Sequence, residues 1–339
     1  MTDHVNAGTT TLKLPQELVI RAPVMDDIPA VADLFNARSR KDVGVATATV
    51  DEVRRWWTIA SDFDIASDAW LVATPDGRAV GYTDIWFPTP HVRFYSEGAV
   101  HPDYEGRGIG RHLLRLARER ADALMEKAPE GARVALSVSA VSTNDTAKRL
   151  FAHAGFALAR HFWRMAIDLD TEVPDPEWPA GITVRTMVPG QDERAVWQAT
   201  EDAFQDHYEH SEVSFEEWLK WRTSDPARFD PTLWFLAEQD GEIAGIAVCE
   251  PHADEDPDMG WISNVGVRRA WRRRGIASAL LRHAFRALRA QGRLRAGLGV
   301  DAASLTGATR VYERAGMRVV RQYEQYAMEL RAGKELLKR

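Results

Sequence analysis

The chain repeats itself at a nearly fixed spacing, and this repeat limits the fold more than any other feature of the sequence. The matched positions are Ile20-Arg21 with Val184-Arg185, Trp70 with Trp234 and Gly81 with Gly245, all 164 residues apart, then Gly108 with Gly275 at 167 and Gly155-Phe156 with Gly316-Met317 at 161. Loop insertions and deletions produce small drifts of this kind. The sequence therefore predicts two copies of one structural unit.

Length and composition also favour two folded domains. A chain of 339 residues exceeds the usual size of one hydrophobic core, and its 45% hydrophobic and 27% charged residues are typical of globular proteins. Between the copies, Pro174, Pro176 and Pro179 oppose both a continuous helix and a central strand. We therefore expect an N-terminal domain over residues 1–170, a proline-rich linker over 171–181 and a C-terminal domain over 182–339.

Each copy shows the same order of predicted elements, described here for the second. The pattern predicts strands at 182–186 and 261–267, a hairpin around Asp240-Gly241, helices at 192–204 and 214–221, and a long helix from Gly275 whose apolar positions recur every three to four residues. A strand over 294–300, a helix over 304–315 and two final strands within 317–330 complete the copy. This order predicts a mixed α/β fold.

An arginine cluster precedes the long helix: residues 268–274 read RRAWRRR. The unpaired N–H groups and the dipole of a helix start favour an anion, and Gly275, which lacks a Cβ, allows close approach to the backbone. The nucleotide motifs GxxxxGK[ST] and GxGxxG are absent. The pattern indicates a phosphate ligand that is held rather than hydrolysed, and the alternative is a solvated basic helix start.

Charge and cysteine content argue against several other classes of protein. The net charge of −7 disfavours a nucleic-acid partner, which needs a basic surface. Cys249 is the single cysteine, so neither an internal disulfide nor a CxxC zinc motif can form, as in a reducing compartment. The first sixteen residues have no basic start and no apolar stretch, and no segment offers about 18 consecutive apolar residues. We expect a cytoplasmic protein without a membrane partner.

The residues at the helix start also resemble a known motif. Arg272-Arg273-Arg274-Gly275-Ile276-Ala277 resembles the [Q/R]xxGx[G/A] signature of the GNAT family of N-acetyltransferases, and VYERAGM (311–317) resembles that family's LYExxGF segment. The element order of both copies is similar to the GNAT fold. The resemblance implies two tandem GNAT domains, an arrangement similar to that of the mycothiol synthases.

The resemblance implies acetyl-CoA as the acyl donor. Its pyrophosphate would lie on the signature loop, and its pantetheine arm would pair with the strand before that loop. The implied cofactor-binding residues are Val265, Gly266, Val267, Arg272, Arg273, Arg274, Gly275, Ile276 and Ala277. The Val265 N–H would donate to the thioester carbonyl, where negative charge develops during attack by an amine.

The resemblance also implies that the two copies differ in function. Tyr312 stands where the family has a tyrosine that can protonate the leaving thiolate, and Phe151 stands there in the first copy. Glu105 replaces the Gln or Arg of the first copy's signature and is expected to disfavour a pyrophosphate. We expect catalysis in the second copy, with the first as a support domain or a weak cofactor site. An ordinary core aromatic is the alternative role for Tyr312.

The general base is less well defined by the sequence. At the strand position where the family commonly has an acidic residue, the second copy has Asn264 and the first has Glu97. Because an amide cannot take a proton, we expect Glu250 or His207 to act as the base, and ordinary surface residues are the alternative. His207 and His210 lack an identifiable third ligand, so we expect no metal.

The predicted substrate is a primary amine of a small molecule. The segments 206–217 and 252–258 are rich in carboxylates, which would attract a cationic amine such as a polyamine or an aminosugar, although these charges could equally be solubilising. A cysteinyl aminosugar, the substrate of mycothiol synthase proper, would need separate evidence. A non-catalytic acyl-CoA sensor or scaffold is the alternative function.

Overall fold

The computed structural model describes residues 14–337 except Gln16, Ala60, Ser61, Leu305 and Thr306. These residues form a mixed α/β protein, as predicted. The first half contains β1 (Val19–Arg21), α1 (Ile28–Val43), α2 (Val50–Ile59), α3 (Ile65–Asp68), β2 (Ala69–Ala73), β3 (Ala79–Asp84), β4 (Arg93–Ser96), β5 (Gly98–Val100), α4 (Ile109–Leu124), β6 (Val134–Val141), α5 (Asp145–His153) and β7 (Ala157–Asp168). The second half contains β8 (Thr183–Thr186), α6 (Glu193–Phe204), α7 (Phe215–Thr223), β9 (Trp234–Gln239), β10 (Glu242–Glu250), β11 (Met259–Val267), α8 (Ile276–Ala290), β12 (Arg295–Asp301), α9 (Ala308–Arg314) and β13 (Arg318–Arg331).

The second half follows the predicted order of elements until its end. Ser214 caps α7 by accepting the N–H of Glu217 at 3.2 Å, and Asp240-Gly241 turns the β9–β10 hairpin with φ angles of 52° and 83°. The prediction of two final strands is wrong, because the single strand β13 spans 14 residues. Its sequence contains no Gly, Pro, Asn or Asp that would favour a turn.

The strands form two sheets, and the larger one runs through both halves. The strand orders are β1-β2-β3-β5 and β4-β6-β13-β7-β12-β11-β10-β9-β8. The last strand of the second half, β13, lies between β6 and β7 of the first half. In turn β7, the last strand of the first half, pairs with β12 of the second. The two halves therefore exchange their final strands, and each needs the other to complete its sheet.

The repeated glycines of β3 and β10 bring a long helix close to the sheet. A Cβ on Gly245 would lie 3.3 Å from Ile276 Cγ2, and one on Gly81 would lie 2.6 Å from Ile109 Cγ2. Ile276 and Ile109 are the first residues of α8 and α4, and both are 1% exposed. The starts of these helices are thus held over equivalent points of the sheet in the two halves.

The central parallel strands of each half separate and leave a gap. In the second half, β11 pairs with β12 only from Met259 to Trp261, and the remainder of β11 pairs with β10 alone. In the first half, β4 pairs with β6, but β5, which continues its direction after Glu97, pairs only with β3.

None of the helices in the described part of the chain has the length and apolar character that a membrane crossing needs.

Candidate active site

The loop that leads into α8 has an open backbone at its end. Gly275 is the N-cap residue with φ of 91°, a conformation that favours glycine, and no atom lies within 4 Å of the position of an added Cβ. The first backbone bond of the helix runs from Ala279 N to Gly275 O at 3.1 Å, so the N–H groups of Ile276, Ala277 and Ser278 have no intrahelical acceptor. This turn is suited to an anion.

The arginines of the loop mostly bind protein rather than project from it. Arg268 contacts Asp202 at 2.9 Å, and Arg269 and Arg272 both contact Asp206, at 2.7 and 2.9 Å. Arg272 also donates to the carbonyl oxygens of Ala203 and Val267 at 3.0 and 3.1 Å. The two arginine hydrogen bonds lower the pKa of Asp206 to about 2. The side chain of Arg272 therefore fastens the loop to the end of α6.

In the first half the equivalent contact has the opposite charges. Glu105, which aligns with Arg272, binds Arg38 and also Lys41, the latter at 2.8 Å. Lys41 lies 165 residues before Asp206, so the acid and the base have changed places between the halves. Burial opposes ionisation of Glu105, but the hydrogen bonds from Lys41 and Arg38 lower its pKa overall. Because these cations compensate its charge, the expectation that Glu105 repels a pyrophosphate loses its basis.

A cavity of about 400 Å³ occupies the gap between β11 and β12. It brings together Val265, His207 and Tyr312, which the sequence singled out, together with Asn264. The remaining lining residues are Arg160, Phe162, Trp163, Arg164, Phe204, Asp206, Tyr208, Trp261, Ile262, Ser263, Leu298, Gly299, Val300, Asp301, Ser304, Ala308 and Tyr323.

The edge of β11 that faces the cavity offers backbone groups. Arg268 N donates to Ala244 O of β10 at 2.9 Å, and alternation along a strand directs the N–H groups of Val265 and Val267 away from β10, towards the gap. The Val267 carbonyl is held by Arg272 on that side. Gly266 has a packing role instead, because a Cβ there would lie 2.8 Å from both Ala203 Cβ and Phe204 Cε2 of α6.

Tyr312 projects from α9 into the cavity and is 8% exposed. Burial raises the pKa of its phenol to about 12, so the hydroxyl stays protonated at neutral pH and can donate a proton. Phe151 occupies the corresponding cavity of the first half. The two cavities thus differ at this position by a single hydroxyl group.

The candidate bases take different positions. His207 lines the cavity with its ring 4.4 Å from that of Phe204, and burial together with His210 lowers its pKa, so the imidazole is neutral at pH 7. Glu250 contacts Ser263, which lines the cavity, and its charge is compensated by Arg228. Ser263 is therefore the link through which Glu250 reaches the cavity. Asn264 is held by Arg222.

Three carboxylates of the acidic segment 252–258 are paired with arginines within the protein. Asp254 binds Arg55 and Arg228, Glu255 binds Arg164 and Arg321, and Asp256 binds Arg295 at 2.7 Å. Because each of these carboxylates faces an arginine, the steering of a cationic amine by this segment has little support.

In the described portion of the chain, no group of three or more His, Cys, Asp or Glu residues could hold a metal ion.

Sequence reasoning missed one wall of the cavity. Arg160, Phe162, Trp163 and Arg164 come from β7, which belongs to the first half, and they line the cavity of the second half because the final strands are exchanged. The motif HFWRM is visible in the sequence, but no local pattern shows which of the two cavities its side chains line. Arg164 and Tyr323 also line the cavity of the first half, so the two cavities share a boundary.

Comparison with protein families identifies both halves. Residues 194–317 match the acetyltransferase (GNAT) family, and residues 66–158 match the acetyltransferase (GNAT) domain. The chain is 36% identical over 223 residues to the mycothiol acetyltransferase of Thermobispora bispora, covering 65% of this chain and 71% of that protein. It is 34% identical over 247 residues to the mycothiol acetyltransferase of Streptomyces coelicolor, covering 73% and 75%.

Solved structures show the same architecture. A GCN5-related N-acetyltransferase from Sphaerobacter thermophilus superposes with a TM-score of 0.82 at 39% identity, covering 96% of this chain and all of that one. A tandem GNAT protein from the clavulanic acid biosynthesis pathway superposes with a TM-score of 0.71 over 94% of this chain and all of that one. At 18% identity, the second comparison supports the fold alone.

Proposed function

Because the chain belongs to the GNAT family of acetyltransferases and has two GNAT domains in tandem, we propose that its C-terminal domain transfers the acetyl group of acetyl-CoA to a primary amine of a small molecule. The observation that carries the assignment to this domain is Tyr312, whose buried hydroxyl lies in the C-terminal cavity, where the N-terminal cavity has Phe151. The acetyl-CoA thioester supplies the activated acyl group.

The cofactor is held by backbone groups in this proposal. The N–H groups of the first turn of α8 bind the diphosphate, while Arg272 keeps the loop in place through Asp206. The gap beside β11 accepts the pantetheine arm as an added strand on Val265 and Val267. Because backbone groups bind the diphosphate, the side chains that hold the loop in place can differ between the two halves.

The chemistry follows from the groups around the cavity. As the amine nitrogen bonds to the thioester carbon, the Val265 N–H stabilises the developing charge on the carbonyl oxygen. Tyr312 donates its proton to the sulfur as the C–S bond breaks. The amine loses one proton to His207, or through the Ser263 hydroxyl to Glu250. The products are an amide and free CoA thiol.

The acceptor is a small molecule in this proposal because the cavity is enclosed partly by β7 of the other half. Arg160, which binds Asp301 at 2.7 Å and lies over the ring of Tyr208, forms a polar part of that wall. The curated relatives are named mycothiol acetyltransferase, which supports an aminosugar derivative as one class of acceptor to test.

Release of free CoA thiol from acetyl-CoA, measured with a panel of aminosugars, polyamines and amino acid amides, tests the proposal. For an accepted amine, Tyr312→Phe should lower kcat by about 100-fold, because the proton donor to the thiolate is lost. Phe151→Tyr is the matched control and should leave the rate unchanged.

Two results would contradict the proposal. If no amine releases thiol although acetyl-CoA binds, the chain is a sensor or scaffold. If Tyr312→Phe retains the full rate while a variant of the N-terminal domain abolishes it, catalysis lies in the other half.

A further inference from the structure

The α6–α7 loop (residues 205–214) connects the C-terminal cavity to the first half of the chain. Asp206, His207 and Tyr208 line the cavity, and arginines of the signature loop bind Asp206. The next residue along the loop, Glu209, contacts β4 of the first half instead. The loop is therefore bound at two points, with His207 and Tyr208 between them.

The contact between the loop and β4 is a buried ion pair. Arg93 Nε lies 2.6 Å from Glu209 Oε1, and both side chains are only 7% exposed. The Tyr95 hydroxyl donates to Glu209 Oε2 at 2.7 Å. Both oxygens of this carboxylate thus contact the first half. Because separating a buried pair leaves each charge without compensation, the contact resists opening.

The backbone of Glu209 has a conformation that is uncommon for its residue type. Its φ is 56°, in the left-handed region, where a Cβ is disfavoured. The residue 165 positions earlier is Gly44, with φ of 83°, and the helix-capping residues Thr49 and Ser214 have the same spacing of 165. A glutamate where the first half has glycine indicates that its side chain has a role which outweighs this strain.

Glu209 also contacts its neighbour Tyr208 in the cavity wall. Burial, the charge of Glu209 and a hydrogen bond to its carboxylate raise the pKa of the Tyr208 phenol to about 12. The guanidinium of Arg160 lies 4.4 Å from the centre of the Tyr208 ring, and Asp301 holds Arg160 at 2.7 Å. Because His207 directly precedes Tyr208, a displacement of Glu209 would move both residues of the wall.

We propose that β4 of the N-terminal half positions the acceptor side of the C-terminal cavity. Arg93 and Tyr95 are positioning residues, because they lie outside the cavity lining and act through Glu209 on His207 and Tyr208. The N-terminal half thus contributes to amine binding without taking part in the chemistry. This role rests on the proposed function, in which the amine binds beside His207.

Steady-state kinetics with an accepted amine tests the positioning. Arg93→Met should raise the KM for the amine at least about tenfold, because the acceptor wall loses its fixed geometry. The KM for acetyl-CoA should change by less than about twofold, since Asp206 keeps its arginine partners. Arg93→Lys, which keeps the charge, should have a smaller effect than Arg93→Met.

Glu209→Gly tests the same contact from the other side. It introduces the residue of the first half, so it relieves the left-handed backbone and removes only the side chain. Its effect on the KM for the amine should match that of Arg93→Met. Arg93→Met combined with Glu209→Gly should be no worse than either change alone, because both remove one interaction. Thermal melting of each variant checks that it is folded.

Hydrogen–deuterium exchange measures the loop without any reaction. The His207 N–H donates to Phe204 O at 2.8 Å, and the His210 N–H donates to His207 O at 3.2 Å. Exchange at these amides requires the loop to open, so Arg93→Met should accelerate it at least about tenfold.

Arg133→Met is the matched control. Arg133 binds Glu329 of β13 at 2.6 Å, so this variant also removes an ion pair between the halves but does not touch the α6–α7 loop. It should leave the exchange of the loop and both KM values unchanged.

The proposal is overturned if Arg93→Met leaves the exchange of the loop or the KM for the amine unchanged. It is also overturned if Arg133→Met has the same effects, or if the KM values for amine and acetyl-CoA rise equally. A wild type that acetylates no amine contradicts the proposed function and the acceptor role together. Exchange distinguishes that case, because the loop would still open faster in Arg93→Met.

Discussion

The environment of Glu97 predicts how the stability of the chain depends on pH. Glu97 lines a cavity and its side chain is exposed there, yet desolvation by the surrounding protein together with Asp84 raises its pKa from 4.5 to about 8 in the folded chain. Between these values the folded chain holds a proton that the unfolded chain has released. The free energy of unfolding must therefore fall as the pH rises through this range. Glu97→Gln removes the charge, and its melting temperature should exceed that of the wild type by a margin that grows from pH 5 to pH 8.

Thermal melts of both proteins at several pH values measure this margin. Since stability changes with pH for many groups, only the difference between the variant and the wild type is informative. A margin that stays constant or shrinks towards pH 8 would show that the Glu97 carboxyl is well solvated.

At the level of single residues, the sequence predicts which residues line a cavity better than it predicts which side chains contact each other. Tyr312, His207 and Val265 do line one cavity. The partner of Arg272 could not be predicted, because Asp206 lies 66 residues away and the contact depends on how the end of α6 meets the loop. The sequence places Glu97 on a strand, but its position in a cavity of the first half depends on how distant elements pack and leaves no local pattern.

At the scale of secondary-structure elements, the ion pair between a helix and the signature loop has its charges reversed between the two halves. This reversal allows a direct test of whether the loop requires the ion pair or Arg272 itself. Arg272→Glu places like charges opposite Asp206 and should raise the KM for acetyl-CoA about tenfold, because the loop loses its contact with the end of α6. Arg272→Glu combined with Asp206→Lys reproduces the arrangement of Glu105 with Lys41 and should recover most of this loss.

Steady-state kinetics with varied acetyl-CoA checks both variants. The matched control is Asp206→Lys alone, which should be about as impaired as Arg272→Glu. Equal KM values in the single and double variants would mean that Arg272 acts directly on the cofactor and not through its partner.

Most elements could be predicted from the sequence because their signals are local. Ser214, the Asp240-Gly241 turn and the apolar spacing of α8 each act within a few residues. The exchange of final strands could not be predicted, since strands pair through backbone groups that all residues share. β7 and β13 are equivalent in the repeat, so their sequences do not say which sheet each one enters.

For the whole molecule, the exchanged strands predict that the two halves unfold together. β13 pairs along most of its length with β6 and β7, and its Tyr326, 9% exposed, packs in the core of the first half. A chain that ends at Gly316 should therefore lose the fold of both halves. Circular dichroism and calorimetry measure the effect, and the intact chain should show one cooperative transition.

A chain cut within the linker is the control, because both pieces retain their strands. Fragments 1–175 and 176–339 should be insoluble or unfolded when made alone and should form a folded complex when made together. A well-folded isolated first fragment would contradict the prediction.

The place of β13 in the sheet also sets the timing of folding during synthesis. The slot between β6 and β7 stays open after Asp168 leaves the ribosome, until residues 318–331 have been made. At the usual speed of translation this takes roughly ten to thirty seconds. Throughout that interval the nascent first half presents unpaired strand edges, so aggregation competes with completion of the sheet until the last strand arrives.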